Sequence, residues 1–255
     1  LTADVSRDPA RIARMFDAIA RRYDALNHLL SLGLDRRWRR RAVTELGLTG
    51  REHVLDLCTG TADLAVEAAT SASGCAESVV GVDFAGEMLR RALAKLQRAS
   101  LTGRVRLTRA DVTRLPLRDS AFDAAMVAFG IRNVLDPRAA CRECARVLRP
   151  GGRLVILEFG FPTIPGVRTL YAWYFRYLLP FVGRFVSRHG DAYSYLPASV
   201  EAFPSPDAFA DAVRASGFDS VRHVPLTFGI VYLYIGVRQG QTGVRQGSDP
   251  GQTRV

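Results

Sequence analysis

Asp56, Asp83 and Asp111 each stand just beyond a short apolar run in the first half of the chain. Asp56 opens the stretch Asp56-Leu57-Cys58-Thr59-Gly60-Thr61-Ala62-Asp63, whose small residues follow one such run and lead into a helical pattern. Small side chains let the backbone approach a ligand closely, and a helix start offers N–H groups that have no intrahelical partner. Asp83 falls where a carboxylate can accept from both hydroxyls of a ribose, and Asp111 falls on the adenine side of such a pocket. Each piece has a plainer reading: Asp-x-x-x-Gly as a turn, Asp83 as a helix cap. Together, in order and each at a strand end, they point to a nucleotide-type cofactor. A dinucleotide site needs G-x-G-x-x-G, because pyrophosphate requires two close backbone approaches. Here Cys58 and Ala62 stand where the outer glycines would be. S-adenosylmethionine carries no phosphate. It asks for an acid near its amino-acid moiety, an acid for ribose and an adenine cavity, which suits Asp56, Asp83 and Asp111.

The elements that position these acids are legible from periodicity. Val54–Leu57, Val79–Val82, Val105–Thr108, Ala124–Ala128 and Leu154–Phe159 read as short buried strands. Helices are expected over Leu64–Thr70, Glu87–Ala99 and Ala139–Leu148, the last before an Arg149-Pro150-Gly151-Gly152 turn. Strands alternating with helices predict an α/β fold of the Rossmann-like kind, a mostly parallel sheet with helices on both faces. The first 50 residues read as an amphipathic helical cap, with Ile12, Met15, Phe16 and Ile19 at helical spacing. An aromatic insertion fills residues 160–204, a helix follows over Pro206–Ser216, and Val221–Pro225 with Gly229–Val237 form a terminal antiparallel hairpin. One domain over residues 1–237 is expected. The polar tail 238–255 repeats Gly-Val-Arg-Gln-Gly and should be disordered.

Composition narrows the function. The net charge is +10, with Lys95 the only lysine among 35 basic residues, and such an excess favours anionic partners. No nucleic-acid recognition module accompanies it, and the charge is spread along the chain, so nucleic acid is not expected as a partner. The run from Arg36 to Arg41 around Trp38 reads as a solvated helix face. The four cysteines, at 58, 75, 141 and 144, read as free thiols, and Cys141-x-x-Cys144 lacks a second pair at zinc-ligand spacing. No metal is expected. The most apolar stretch, Val167–Val186, is interrupted by Arg168, Arg176, Arg184 and Pro180 and should not span a bilayer. With no secretory leader evident, a cytoplasmic protein is expected, at most peripheral on the inner face of the plasma membrane.

From about residue 9 to 237 the chain resembles the quinone-biosynthesis C-methyltransferases that act on demethylmenaquinol or a polyprenyl-benzoquinol. The resemblance is carried by Met15-Phe16-Asp17-x-Ile19-Ala20-x-x-Tyr23-Asp24-x-x-Asn27, Ser31-x-Gly33, Arg37-Trp38-Arg39, Leu55-Asp56 to Asp63, and Phe129-Gly130-Ile131-Arg132-Asn133-Val134. Leu148-Arg149-Pro150-Gly151-Gly152, Leu157-Glu158-Phe159, Tyr193-x-Tyr195-Leu196 and Phe203-Pro204 complete it. The Pro-Gly-Gly turn is common to many methyltransferases; the Phe-Gly-x-Arg-Asn and Tyr-Asp-x-x-Asn blocks are far more specific. The resemblance implies S-adenosylmethionine contacts at Gly60, Thr61, Asp83, Asp111, Val112 and Ala128, where Ala128 lacks the hydroxyl that some members carry. It also implies a seven-stranded sheet and a polyprenylated quinol as acceptor. Arg132 then becomes the candidate to stabilise a phenolate, since guanidinium is a poor base. Asn133 would orient the quinol or the cofactor, and Tyr23 would close the pocket. Without the resemblance, a structural ion pair is the preferred role for Arg132. The aromatic segment with Tyr171, Trp173, Tyr174, Phe175, Tyr177, Phe181 and Phe185 would meet the prenyl chain and, with Arg36–Arg41, a membrane surface. The sequence does not separate the menaquinone from the ubiquinone precursor, and a homodimer stays open.

Overall fold

The computed structural model describes residues 8–174, Tyr177 and 191–240, the side chains of residues 191–194 excepted. Its centre is β1, His53–Leu57, whose residues Val54 to Leu57 are all buried. A strand covered on both faces belongs in the middle of a parallel sheet, and β1 lies between β2 (Ser78–Asp83) and β4 (Phe122–Ala128), parallel to both. The full order is β3-β2-β1-β4-β5-β7-β6, with β3 at Val105–Arg109, β5 at Leu148–Phe159, β6 at Phe218–Leu226 and β7 at Val231–Arg238. The first five strands are parallel. Only β7 runs against its neighbours, pairing β5 on one side and its hairpin partner β6 on the other. The expected seven-stranded α/β sheet is thus formed, and the strand order reverses between β1 and β4. That reversal opens the crevice where such sheets bind ligands.

Two boundaries differ from expectation. Arg149-Pro150-Gly151-Gly152 does not separate a helix from a strand but lies inside β5, as an irregularity where Phe122 pairs with Leu148 and Ala124 with Arg153. A Cβ on Gly152 would come within 3.0 Å of the Asp123 carbonyl, so the close approach there needs glycine. At the other end, β7 takes in Arg238, and the Gln239 N–H donates to the Gly217 carbonyl. The rest of the expected disordered tail, from residue 241, lies outside the described residues.

Helices start on local signals. α1 (Pro9–Ile19), α6 (Pro137–Val147) and α9 (Pro206–Arg214) each begin with Pro behind a capping oxygen, from Asp8, Asp136 and Ser205 respectively. Proline fits the first helical turn because its missing N–H would have no partner there. Between them come α2 (Tyr23–Leu30), α3 (Leu34–Leu46), α4 (Asp63–Thr70), α5 (Gly86–Arg98), α7 (Pro165–Trp173) and α8 (Asp191–Glu201). On α3, Asp35, Trp38, Arg39, Ala42, Val43 and Leu46 form one buried face. The arginine run is therefore not uniformly solvated: Arg36, Arg37, Arg40 and Arg41 face out, while Trp38 and Arg39 turn in. Cys141 and Cys144 sit in the core on α6, where burial pushes the Cys141 thiol up to about 12, in keeping with a structural role.

α5 lacks a capping side chain of its own. Its Glu87 N–H donates instead to Asp17 Oδ1 at 2.8 Å, so α1 caps α5 from outside. A second tie follows on the same helix. Lys95 Nζ reaches Asp24 of α2 at 2.7 Å and also pairs with Asp63 of α4. The N-terminal helices are thus fastened to the sheet layer by two carboxylates. Asp17→Ala should loosen α1 by about 1 kcal/mol, the usual worth of a cap, raising the rate of tryptic cleavage at the exposed Arg21 and Arg22 roughly fivefold. Limited proteolysis at low trypsin concentration reads this directly; an unchanged rate would show that the α5 cap does not hold α1 down.

Candidate active site

The carboxyl ends of β1 to β4 and the inner face of α1 enclose a cavity of about 330 Å³. Cys58 and Gly60 come from the β1 loop, Asp83 and Phe84 from β2, Asp111 and Val112 from the turn after β3, and Ala128 to Gly130 from β4. Gly60 is left-handed, at φ +55°. So are Cys58 (φ +52°) and Ala62 (φ +67°), the two residues that replace the outer glycines. A Cβ in that region costs about 1–2 kcal/mol, so the loop keeps its glycine-like path without the glycines. Its neighbour Gly130 cannot be replaced: a Cβ there would stand 2.3 Å from Cys58 Cβ.

Charge distinguishes this cavity. Asp83, Asp111 and Asp136 line it, and among the described residues no lysine or arginine does, in a chain of net charge +10. A pyrophosphate would find three carboxylates and no counter-charge. A cationic ligand is favoured, and S-adenosylmethionine, with its sulfonium and ammonium groups, fits. Asp83 is fixed by the Gly60 N–H on Oδ2 (2.8 Å) and the Ala85 N–H on Oδ1 (2.9 Å), each oxygen retaining acceptor capacity for a hydroxyl. Burial pushes its carboxyl above the ordinary value despite these donors. Asp111 Oδ1 accepts from the Thr113 N–H and hydroxyl, both at 2.8 Å, which leaves Oδ2 for an adenine amino group. Asn133 Oδ1 is buried without a hydrogen-bond partner, and Asn133 lines the cavity.

Two expected contacts lie elsewhere. Thr61 is absent from the cavity lining; its hydroxyl donates to Asp24 Oδ1 at 2.6 Å and joins α2 to the β1 loop. Asp56 is buried beneath the loop, where Oδ2 accepts from the Thr59 hydroxyl at 2.6 Å and Oδ1 has no partner. Phe16, Phe84, Met88 and Asp136 line the cavity without having been singled out as cofactor contacts, because nothing in strand–helix periodicity shows which residues the helices and loops around the strand ends turn inward.

A second cavity, about 370 Å³, adjoins the first. Phe16, Tyr23 and Phe129 line both and form the partition between them. The second is built from α1, α2, α3, α7 and α8, and its walls are mostly apolar: Leu26, Leu30, Trp38, Phe159, Tyr171 and Leu196. Trp38, Phe129 and Phe159 form one aromatic cluster, with Phe129 and Phe159 4.5 Å apart. Arg132 enters this cavity from a single 3-10 turn, Ile131–Asn133. Its Nη1 donates to Glu158 Oε1 (2.7 Å) and to the Phe129 carbonyl (2.6 Å), and its Nε to Ser199 Oγ (3.3 Å). The structural ion pair is therefore present, yet the guanidinium still lines the cavity, 5.3 Å from the Phe159 ring. Burial raises the Tyr23 hydroxyl's pKa although Arg132 and Arg39 act to lower it, so Tyr23 is a neutral donor at the partition.

Burial raises Asp56 to about 7. The sign of the resulting pH dependence follows. Below the ordinary value of 3.8 the group is neutral folded and unfolded; between 3.8 and about 7 only the unfolded chain ionises, so stability falls as pH rises. Asp56→Asn removes that slope and should therefore be more stable than wild type at pH 8 by a few kcal/mol at most, and nearly equal at pH 4. Urea denaturation at both pH values checks the gap, and a constant offset would remove the buried proton from Asp56.

The fold is shared with solved methyltransferases. A SAM-dependent methyltransferase from Thermotoga maritima superposes with TM-score 0.59 at 18% identity, covering 88% of this chain and all of that one. Another from Aquifex aeolicus gives 0.55 at 18%, covering 78% and 89%. Sequence relatives are much nearer. A ubiquinone/menaquinone biosynthesis C-methyltransferase, UbiE, from Geobacter sp. (strain M21) is 47% identical over 92% of this chain and 99% of its own. A demethylmenaquinone methyltransferase from Thermus thermophilus is 48% identical over 88% of this chain and 100% of its own. Residues 4–238 match the model of one family, and the chain, with an acid-lined cavity beside an apolar one, belongs to the ubiE/COQ5 methyltransferase family.

Proposed function

We propose that this methyltransferase uses S-adenosylmethionine to methylate a ring carbon of a polyprenylated quinol, demethylmenaquinol in the first place. The observation that carries the reading is the pair of cavities sharing Phe16, Tyr23 and Phe129, one anionic and one apolar with a guanidinium in its wall. When bound, the cofactor supplies a methyl group on a cationic sulfur, ready for in-line displacement. Asp83 and Asp111 would hold its ribose and adenine, with Gly60, Val112 and Ala128 forming the close walls. Asp56 and Thr61 would act from behind, by keeping the β1 loop and α2 in place.

The acceptor must be brought to the partition with its ring carbon facing the donor cavity, because alignment and contact distance supply much of the rate. Trp38, Phe129 and Phe159 suit a flat ring, which favours the bicyclic naphthoquinol over a single-ring benzoquinol. Carbon becomes nucleophilic as its quinol hydroxyl loses a proton, and Arg132 stabilises the resulting phenolate. Glu158 offsets part of that positive charge but also orients the guanidinium. Asn133, joined to the Phe129 carbonyl through Nδ2 at 3.4 Å, has its oxygen free for a donor in the acid-lined cavity.

Leu32 and Leu170 line the acceptor cavity and are 86% and 66% exposed, so its mouth is apolar and open. Trp173 and Tyr177 are also exposed beside it, with Arg36, Arg37 and Arg168 in the same elements. Residues 160–190 contain no Asp or Glu. Among the described residues no helix is long and apolar enough to cross a membrane. An anionic lipid surface on the cytoplasmic side is the occupant that this mouth suits, apolar at the centre and cationic at its edge. Phe175, Phe181 and Phe185 of the expected contact, with Arg176 and Arg184, lie outside the described residues.

A strain deleted for this chain should accumulate demethylated menaquinone; accumulation of an unmethylated polyprenyl-benzoquinol instead would move the substrate to ubiquinone synthesis, and an unaltered quinone pool would overturn the reading. Arg132→Ala alone would strand Glu158 in the core at a cost of about 3–5 kcal/mol, so the informative protein is the double variant Arg132→Gln/Glu158→Gln. It should keep its affinity for the cofactor and lose turnover by about 10²-fold or more. Turnover within a few-fold of wild type would take Arg132 out of the mechanism. In flotation, vesicles with phosphatidylglycerol should carry more protein upward than neutral ones, and Leu32→Asp/Leu170→Asp should abolish the difference; equal recovery on both vesicle types would count against the lipid surface.

A further inference from the structure

The turn that joins β6 to β7 is strained. Thr227, Phe228 and Gly229 follow one another in the left-handed region, at φ +47°, +59° and +86°. Glycine takes such angles freely, but a β-branched or bulky residue there is an outlier. Only the third position uses glycine. Phe228 gains little packing in return, since it is 67% exposed. The turn is nonetheless held closed. The Ile230 N–H donates to the Thr227 carbonyl at 3.2 Å, and the Gly160 N–H ties the Ile230 carbonyl to the end of β5 at 3.0 Å. Strain that the surroundings enforce points to something the strained residue does.

Thr227 accepts a hydrogen bond. Trp38 Nε1 donates to its Oγ1 at 2.8 Å, joining α3 to a turn 189 residues away. Trp38 is buried, and an indole N–H is a donor only, so burial obliges it to find an acceptor. An unstrained acceptor would satisfy that donor equally well. A strained one fixes where the indole must lie. The place matters because Trp38 is a wall of the apolar cavity, while Thr227 itself lines neither cavity.

Phe129 lines both cavities, whereas Trp38 and Phe159 line only the apolar one. Trp38 stands edge-on to both phenylalanines, its ring centre 6.1 Å from that of Phe129 and 6.4 Å from that of Phe159. An acceptor whose reacting ring meets the donor at Phe129 extends its far side toward Trp38. We propose that Thr227 is a specificity-determining residue, whose hydroxyl holds Trp38 as the wall for the second, fused ring of the acceptor and so favours a naphthoquinol over a benzoquinol. This rests on the quinol reading above and deepens it. Because Thr227 acts through Trp38, it is a positioning residue. The bond works in two ways. It fixes the indole against the fused ring, and it engages the N–H with a residue outside the lining. Released, that N–H would be a donor free to meet the oxygen substituents of a single-ring acceptor, and the preference would narrow from both sides.

The test uses the full chain with Thr227→Ala, Thr227→Ser or Thr227→Gly. With a short-chain demethylated naphthoquinol and a short-chain benzoquinol as alternative acceptors, the ratio of their kcat/KM values should fall about tenfold in Thr227→Ala, the scale of one apolar contact in a pocket. Thr227→Ser, which keeps the hydroxyl, should restore it. The KM for S-adenosylmethionine should match wild type in all three. Thr227→Gly relaxes the turn and should unfold at a higher urea concentration than Thr227→Ala, so a lowered ratio in it reports the lost hydroxyl and not a damaged fold. Binding is read apart from turnover in a Trp173→Phe background, which leaves Trp38 as the sole tryptophan. There 1,4-naphthoquinone should quench the fluorescence with a Kd raised about tenfold by Thr227→Ala and returned by Thr227→Ser. An unchanged ratio and Kd, with only the urea midpoint lowered, would make the hydrogen bond a structural one and overturn the proposal. If the Kd follows the hydroxyl while wild type methylates no quinol, the quinol reading fails and the role of Thr227 at the ring wall stands.

Discussion

The buried pair of Arg132 and Glu158 holds the site's two halves in register. Glu158, fully buried at the end of β5, receives Arg132 Nη1 and the Phe159 N–H on Oε1, and the Arg132 N–H on Oε2. The same guanidinium holds the Phe129 carbonyl and Ser199 of α8. One side chain thus fixes the turn after β4, the end of β5 and the helix that closes the acceptor cavity. Buried pairs of this kind gain little net stability over an apolar replacement, because desolvating two charges offsets most of their attraction. What the pair does supply is position. Phe129, set by that carbonyl, is the wall common to both cavities, and a shift of its backbone would misalign donor and acceptor together.

A second set of charges does the same for the cap. Lys95 joins Asp24 to Asp63, Arg39 joins Asp63 to Asp35, and Asp35 joins His28. Four helices are strung on that chain of contacts; Arg39–Asp35 is buried, but the links of Lys95 to Asp24 and Asp63 are partly solvated. Such partly solvated pairs are weak singly and can open, which suits helices that cover a cofactor cavity and must let the cofactor pass. The apolar contacts of the cap agree: Ala13, Ala20, Ala85 and Met88 form a small cluster of their own, separate from the two large ones on the faces of the sheet.

The sheet was legible because it rests on local period and burial. Short apolar strands between helical stretches leave little choice of architecture, and the acids at their ends mark the ligand side. Arg132 and Asn133 were legible only through resemblance; nothing local separates that arginine from the 33 others. Contacts between elements far apart in sequence were illegible. Asp17 reads as one acid on an amphipathic helix, and its capping of α5, seventy residues away, follows only from packing. Lys95, the sole lysine, sat in plain view as a composition oddity with no partner to give it meaning. Thr61 and Asp56 show how far motif position reaches: it places them in the loop, but with left-handed turns at Cys58 and Ala62 it is Gly60 and Cys58 that line the cavity.

Charge placement ties these parts to one chemistry. In a strongly basic chain, a cavity lined among the described residues by three carboxylates and no cation is not a by-product of average composition. It selects for positive charge on the ligand, and it does so beside a chamber whose own walls carry two guanidiniums and a single carboxylate. With S-adenosylmethionine in the acidic cavity and the quinol in the apolar one, as proposed, the first field would favour the sulfonium and lose that attraction once sulfur is neutral, and the second would favour a phenolate over the neutral quinol. Each field would then hold its reactant better than its product, so the electrostatics that align the two partners would also weaken the hold on both after transfer.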